Sequence, residues 1–175
     1  MFDLPPGNAT TIQYAGWNNY LPARDLAFTM IAEIYRRDIH PAWDGDLINF
    51  TAVYLETPGN TFLSAANRGQ ISGILAVRRY DRRIQALPGA YDSAATAELA
   101  RCFVVEHSRR QGIASLLFQE AERFCKASGF TTLYLHTHLF LPGALEFWTA
   151  MGFQVRLSAN DPLQTVHLEK RLAST

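Results

Sequence analysis

The sequence predicts one α/β domain, a mixed sheet flanked by about four helices, and three observations carry that expectation. A chain of 175 residues, 48% hydrophobic and 18% charged, suits a single globular core. Apolar alternation and helical periodicity take turns along its length. No internal repeat, low-complexity stretch or linker composition divides it, so residues 1–175 read as one domain. The expected order is strand, two helices, three strands, helix, strand, helix, strand, strand.

Each element has its own signal. Thr11 to Tyr14 reads as a short first strand. After Leu21-Pro-Ala-Arg-Asp25, Leu26, Met30, Ile31, Ile34 and Tyr35 recur at helical spacing, and Pro41 ends that helix or follows its end. Asp46 to Tyr54 carries a shorter helical pattern through Leu47, Ile48, Phe50, Val53 and Tyr54, stopped by Pro58-Gly59. Thr61 to Ala65 and Gln70 to Arg79 read as strands joined by a turn over Ala66-Asn67-Arg68-Gly69. Gly73 inside the second of these suggests a bulge or a close ligand. Arg78 to Asp92 is polar and holds Pro and Gly, so a loop is expected before the strand Glu98 to Val105.

Beyond that strand, Ile113, Leu116, Leu117, Ala121, Phe124 and Cys125 form one apolar helical stripe, with Gly129 as its stop. Thr131 to His138 reads as a strand. Pro142 sits where a helix would begin, and Leu145, Trp148 and Met151 make the next stripe, ending at Gly152. Phe153 to Leu157 and Thr165 to Leu168 close the chain as strands.

The most informative stretch is Glu98-Leu-Ala-Arg-Cys-Phe-Val-Val105 followed by Glu-His-Ser-Arg109-Arg110-Gln111-Gly112-Ile113-Ala114-Ser115. A strand feeding a helix amino terminus leaves the first N–H groups of the helix without intrahelical partners and adds the positive end of its dipole. Two guanidiniums strengthen that field and fork onto phosphate oxygens. Gly112 leaves the backbone bare where a phosphate comes close, so a pyrophosphate is the expected ligand. No Gly-Lys-Ser/Thr follows, which excludes a Walker-type loop.

Arg109-x-x-Gly112-x-Ala114 resembles the pyrophosphate-loop pattern of the Gcn5-related N-acetyltransferase (GNAT) superfamily, and Ala144-Leu-Glu-Phe-Trp-Thr-Ala-Met-Gly152-Phe153 is similar to its fourth helix. The resemblance runs most clearly from Glu98 to Phe153. It implies a mostly antiparallel GNAT-like sheet and acyl-CoA-dependent N-acyl transfer: acetyl passes from acetyl-CoA to a small-molecule or peptide amine by direct attack in a ternary complex. Coenzyme A contacts are implied at Phe103, Val104, Val105, Arg109, Arg110, Gln111, Gly112, Ile113, Ala114, Ser115, Phe147 and Trp148. Glu98 then falls where some members carry the base that removes the amine proton. Trp148 stands where the superfamily commonly has a proton-donating tyrosine. An indole N–H is no practical acid, so Tyr134 or a water becomes the candidate donor, or the thiolate departs unassisted.

Other residues have competing readings. Glu98 is otherwise a strand-end carboxylate, and Trp148 otherwise packs the core. His136 and His138 point to one strand face, yet no Cys, Asp or Glu set completes a zinc site in sequence, so no metal is expected. Trp17, Trp43 and Tyr54 with Asp44 and Asp46 either line a pocket for a cationic amine or simply pack. A non-catalytic acyl-CoA-binding domain is the alternative function, made credible by the missing tyrosine.

Sixteen basic residues balance sixteen acidic ones, which favours neither nucleic acid nor an anionic membrane as partner. Met1-Phe-Asp-Leu-Pro-Pro-Gly-Asn8 lacks the basic and apolar regions of a signal peptide, and no window approaches a membrane span. Cys102 and Cys125 read as buried free thiols in a reducing compartment, so a cytoplasmic protein is expected. A homodimer would be an analogy only, since one sequence does not carry the oligomeric state.

Overall fold

The computed structural model describes residues 10–82, 87 and 91–173. The amino-terminal segment lies outside them, as do residues 83–86 and 88–90 of the expected loop. The elements are β1 (Thr11–Tyr14), α1 (Tyr20–Tyr35), α2 (Pro41–Ile48), a π-helical turn (Thr51–Leu55), β2 (Thr61–Asn67), β3 (Gln70–Arg79) and β4 (Thr96–Val104). There follow a 3-10 turn (Glu106–Ser108), α3 (Ile113–Ala127), β5 (Thr132–His138), α4 (Ala144–Ala150), β6 (Gln154–Ser158) and β7 (Thr165–Arg171). The strands form one seven-stranded sheet in the order β1-β2-β3-β4-β5-β7-β6. Pairing is antiparallel for β1/β2, β5/β7 and β6/β7, and parallel for β4/β5. The mixed, mostly antiparallel α/β fold is therefore the one expected.

The chain divides into two compact units, Met1–Ala76 with Arg101–Glu120, and Val77–Ala100 with Ala121–Thr175. In the first, α1 buries Ala23, Ala27, Met30 and Ile31. The buried face is thus centred on two alanines, and Leu26 and Ile34 lie at its margins. The chain leaves α1 through Arg36, which takes the left-handed conformation usual after a helix end. Pro41 opens α2 at its first turn, where its missing N–H costs nothing. The helical pattern over Asp46 to Tyr54 falls on the end of α2 and the π-helical turn. The turn is closed by the Glu56 N–H bonding the Thr51 carbonyl at 3.0 Å. Phe50, Tyr54 and Phe62 come together there with ring centroids 4.9–5.1 Å apart, a packed aromatic group on the core side of β2.

Gly73 on β3 has a packing reason of its own. A Cβ built there would lie 2.9 Å from Ile113 Cγ2, 3.1 Å from Leu117 Cδ1 and 3.3 Å from the Phe103 carbonyl oxygen. The glycine lets α3 rest directly on the strand. On α3 itself Ile113, Leu117, Phe118, Ala121 and Cys125 are buried, while Leu116, counted in the sequence stripe, is exposed.

In the second unit, Tyr80, Tyr91 and Tyr134 form a buried cluster with Leu87 against it. Both remaining helix ends close as the sequence suggests. Gly129 and Gly152 take positive φ, and the N–H groups of Phe130 and Phe153 bond back to the carbonyls of Cys125 and Trp148. The start of α4 differs, because Gly143 at φ 75° precedes Ala144 and leaves Pro142 outside the helix.

The contact at Gly73 is directly testable. Gly73→Val should lower stability by about 1–3 kcal/mol through overpacking, read from urea unfolding; an unchanged midpoint would show that α3 can stand off the strand.

Candidate functional site

The strand-to-helix junction comes first. β4 ends at Val104, and a single 3-10 turn reverses the chain, closed by Ser108 N–H to the Val105 carbonyl and Arg109 N–H to the Glu106 carbonyl. Arg110 and Gly112 follow at φ 61° and 78°. A Cβ on Gly112 would meet no heavy atom within 4 Å, so the space beside its backbone is open. The first bond of α3 runs from Leu116 N–H to the Gly112 carbonyl at 3.0 Å. The N–H groups from Gly112 to Ser115 precede that bond and form the donor set of a helix start. Arg109 turns its Nε to the Val104 carbonyl at 3.0 Å, and Gln111 donates its amide to the His107 carbonyl at 3.1 Å. These two side chains brace the turn, and the backbone N–H groups are its remaining donors. Phe103, Val104, Val105, Ala114 and Ser115 are half-buried around it, while Ile113 is buried on Gly73.

Arg101, inside β4, sits at φ 54°, a conformation a strand residue other than glycine rarely takes. It interrupts the two-residue alternation, so the facing of Cys102 and Val104 no longer follows from Glu98. Its side chain explains how it is held. Arg101 forks onto Asp46 at 2.6 and 3.2 Å, reaches Asp44 at 3.2 Å, and donates to the Trp43 carbonyl at 2.8 Å. Asp44 also accepts from both Arg37 nitrogens (2.6 and 3.0 Å) and from the His40 N–H (2.9 Å), while Tyr54 donates to Asp46 at 2.6 Å. Both carboxylates are buried. The pocket for a cationic amine considered from the sequence is therefore not what these aspartates form, because two guanidiniums already answer their charge. Trp17 and Trp43 are exposed. Burial pushes the Asp44 carboxyl up, but Arg37, the His40 N–H and Arg101 together outweigh it and hold it below the ordinary range.

Glu98 lies in the other compact unit, where the β4/β5 ladder runs Thr96↔Thr132, Ala97↔Leu133 and Glu98↔Tyr134. Its side chain has 0% exposure, and Oε2 accepts from Arg78 Nε at 2.9 Å. On its other side Oε1 lies 3.8 Å from His136 Nδ1. Tyr134 is also fully buried, and its hydroxyl shares a 2.8 Å hydrogen bond with His167 Nδ1. His136 and His167 face each other in the β5/β7 register. The His136 ring lies 5.8 Å from that of His138 and 6.1 Å from that of His167. Burial pulls the His138 and His167 imidazoles below their ordinary range; the charge of Asp161 opposes it in both. Arg78 and His167 were missed by sequence reasoning. Their only signal was strand parity, with Arg78 at the edge of an expected loop.

Trp148 is buried, edge-on to Phe147 at 4.8 Å and to Phe153 at 5.4 Å, so its ring is part of the packing of α4. Burial pushes both cysteine thiols up to about 12, which leaves neither as a thiolate near neutrality. Among the described residues no group of three or more His, Cys, Asp or Glu is arranged to hold a metal ion, and no helix is long and apolar enough to cross a membrane.

A mixed sheet whose central strand feeds a glycine-bearing helix start presents backbone N–H groups of the kind that can answer an anion. Residues 27–153 match the model of the acetyltransferase (GNAT) family, and the chain belongs to that family. It is 32% identical over 111 residues to N-acetyltransferase 8 of Rattus norvegicus, covering 62% of this chain and 46% of that protein. It is 26% identical over 151 residues to the N-acetylaspartate synthetase of Homo sapiens, covering 84% and 46%. The chain thus spans about half the length of these curated relatives. Among solved structures it is similar in fold to an acetyltransferase of Staphylococcus aureus, with a TM-score of 0.74 and 20% identity over 94% of this chain and 100% of the other. It is similar also to yncA of Salmonella typhimurium, solved with acetyl-CoA, with a TM-score of 0.72 and 13% identity over 95% and 96%.

The clamp on Arg101 gives a stability prediction. Arg101→Ala removes the guanidinium that answers Asp46 and one of the two that answer Asp44, and should cost about 3 kcal/mol near neutral pH. The Asp44 carboxyl is held low in the folded state, so its contribution is complete above the unfolded value near ~4 and fades as pH falls through the folded one. Urea unfolding from neutral to acidic pH should therefore show the variant's deficit shrinking as pH drops; a constant deficit would assign the loss to backbone conformation.

Proposed function

We propose that this chain is an acyl-CoA-dependent N-acyltransferase, transferring acetyl from acetyl-CoA to a primary amine by direct attack in a ternary complex. Family membership supports the reaction class. The observation that carries the cofactor assignment is the junction at Gly112, with left-handed backbone, open space for a close anion, and the first N–H groups of α3 beside it. A pyrophosphate fits this donor set, and phosphate oxygens there would be answered by backbone N–H groups with Arg109 and Arg110 adding field. Phe103, Val104, Val105, Gln111, Ile113, Ala114 and Ser115 flank the same turn, and Phe147 and Trp148 of α4 are assigned to the cofactor by family resemblance alone.

In the reaction, nitrogen bonds to the thioester carbonyl carbon, the carbon–sulfur bond breaks, and sulfur leaves as thiolate while nitrogen loses a proton. Glu98 draws that proton away, through an intermediary because its carboxylate has no exposed surface. Tyr134, its register partner, is the proton donor proposed for the thiolate, delivering through a bound water because its hydroxyl is buried on His167. The acceptor is a small-molecule or peptide amine. N-acetylaspartate synthetase, among the relatives, makes amino acids a sensible part of the amine panel.

Coenzyme A should raise the melting temperature in proportion to occupancy, by about 2.7 kcal/mol of stabilisation at a hundredfold excess over Kd. Gly112→Asp, which adds bulk and negative charge at the cradle, should abolish the rise. A shift that survives the substitution would place the pyrophosphate elsewhere. Thiol release from acetyl-CoA with amines separates an enzyme from a binding domain.

Tyr134→Phe tests the donor. Turnover should fall at least tenfold while the coenzyme A shift is kept; turnover equal to wild type would leave water as the proton source.

A further inference from the structure

We infer that His136 is the group that meets the acceptor amine, and that Glu98 is a positioning residue acting behind it; this deepens the acyltransfer reading and rests on it. A general base has to come within hydrogen-bond reach of the proton it removes. Glu98 is placed against that contact. Its side chain has 0% exposure and one oxygen is bound by Arg78 Nε at 2.9 Å. His136, whose side chain is 33% exposed, stands on the other oxygen with Nδ1 at 3.8 Å. That distance is long for a hydrogen bond and within the looseness that catalytic pairs show before substrate binds.

The order is therefore Arg78, Glu98, His136, on strands β3, β4 and β5. The guanidinium holds one carboxylate oxygen and leaves the other on the imidazole side. The carboxylate in turn favours Nδ1 as the protonated nitrogen, which leaves the lone pair on Nε2, at the far side of the ring. As nitrogen attacks the thioester carbon and the carbon–sulfur bond breaks, its proton passes to Nε2. The imidazolium so formed is stabilised by Glu98 and later gives the proton to solvent, while sulfur keeps the bonding pair.

The surroundings favour His136 over its two neighbours. His138 on the same strand and His167 on β7 are both buried, His138 facing Thr165 Oγ1 at 3.3 Å and His167 sharing the Tyr134 hydroxyl. Both stay neutral near pH 7 because burial disfavours their charged forms. Neither adds positive charge beside the imidazolium. Among the described residues the Tyr134 ring lies 6.4 Å from that of His136, and Arg78 is held by Glu98.

The test compares His136→Gln with Glu98→Gln in thiol release from acetyl-CoA, using the best amine of a panel, with the coenzyme A melting shift as the control for folding. His136→Gln should lower kcat about a hundredfold and remove the acidic limb of the pH–rate profile, with the shift intact. Glu98→Gln should keep that limb and move it to lower pH, because the imidazolium has lost its counter-charge. The same displacement should appear in the NMR titration of the His136 ring, a readout that needs no turnover. Wild-type turnover that survives His136→Gln within a few-fold, or a His136 titration unmoved by Glu98→Gln, overturns the proposal alone. No thiol release by the wild type with any amine overturns the acyltransfer reading, and the proposal with it.

Discussion

The constraint on which the rest depends is the burial of carboxylate charge along and against β4. Glu98, Asp44 and Asp46 are all removed from solvent, and an unpaired ion there would cost several kcal/mol even after relaxation. Each is answered by an arginine that the chain brings from elsewhere. Arg78 reaches Glu98 from twenty positions earlier, and Arg101 reaches Asp46 from fifty-five positions later. Such pairs add little net stability compared with apolar packing. They fix geometry, because moving either partner away would leave a buried charge poorly answered.

That geometry shows in the backbone of β4. Arg101 holds a left-handed conformation that costs on the order of 1–3 kcal/mol, and two aspartates, with the Trp43 carbonyl, keep it there. The strand before it and the strand after it therefore present side chains on different counts. Toward the start of β4 the side chains enter a face of ionisable and aromatic groups; toward its end the backbone delivers the chain to the cradle at Gly112.

The cradle and the ionisable face differ in how they are built. The junction is local: a single 3-10 turn, a glycine with positive φ, and a helix start, all within Val104–Leu116. Its arginine and glutamine side chains are spent largely on bracing carbonyls. The ionisable face is assembled from four strands far apart in sequence, and its character comes from burial. Desolvation keeps His138 and His167 neutral, and Glu98 is paired with Arg78. Identical residues on an exposed sheet would titrate as ordinary surface groups.

Local chemistry explains what was legible in the sequence. Element order, the glycine stops at Gly129 and Gly152, and the strand-to-helix turn at Gly112 depend on neighbours a few residues apart, so periodicity and spacing determine them. The sequence also marked Glu98, Tyr134 and His136 as residues of interest. Tertiary structure alone decided their circumstances: the arginine at Glu98, the histidine at Tyr134, the guanidiniums that occupy Asp44 and Asp46, and the helix that makes Gly73 a glycine. Those are contacts between residues distant in the chain, and the direction in which a side chain points across such a distance is set by packing and desolvation, for which a linear pattern holds no signal.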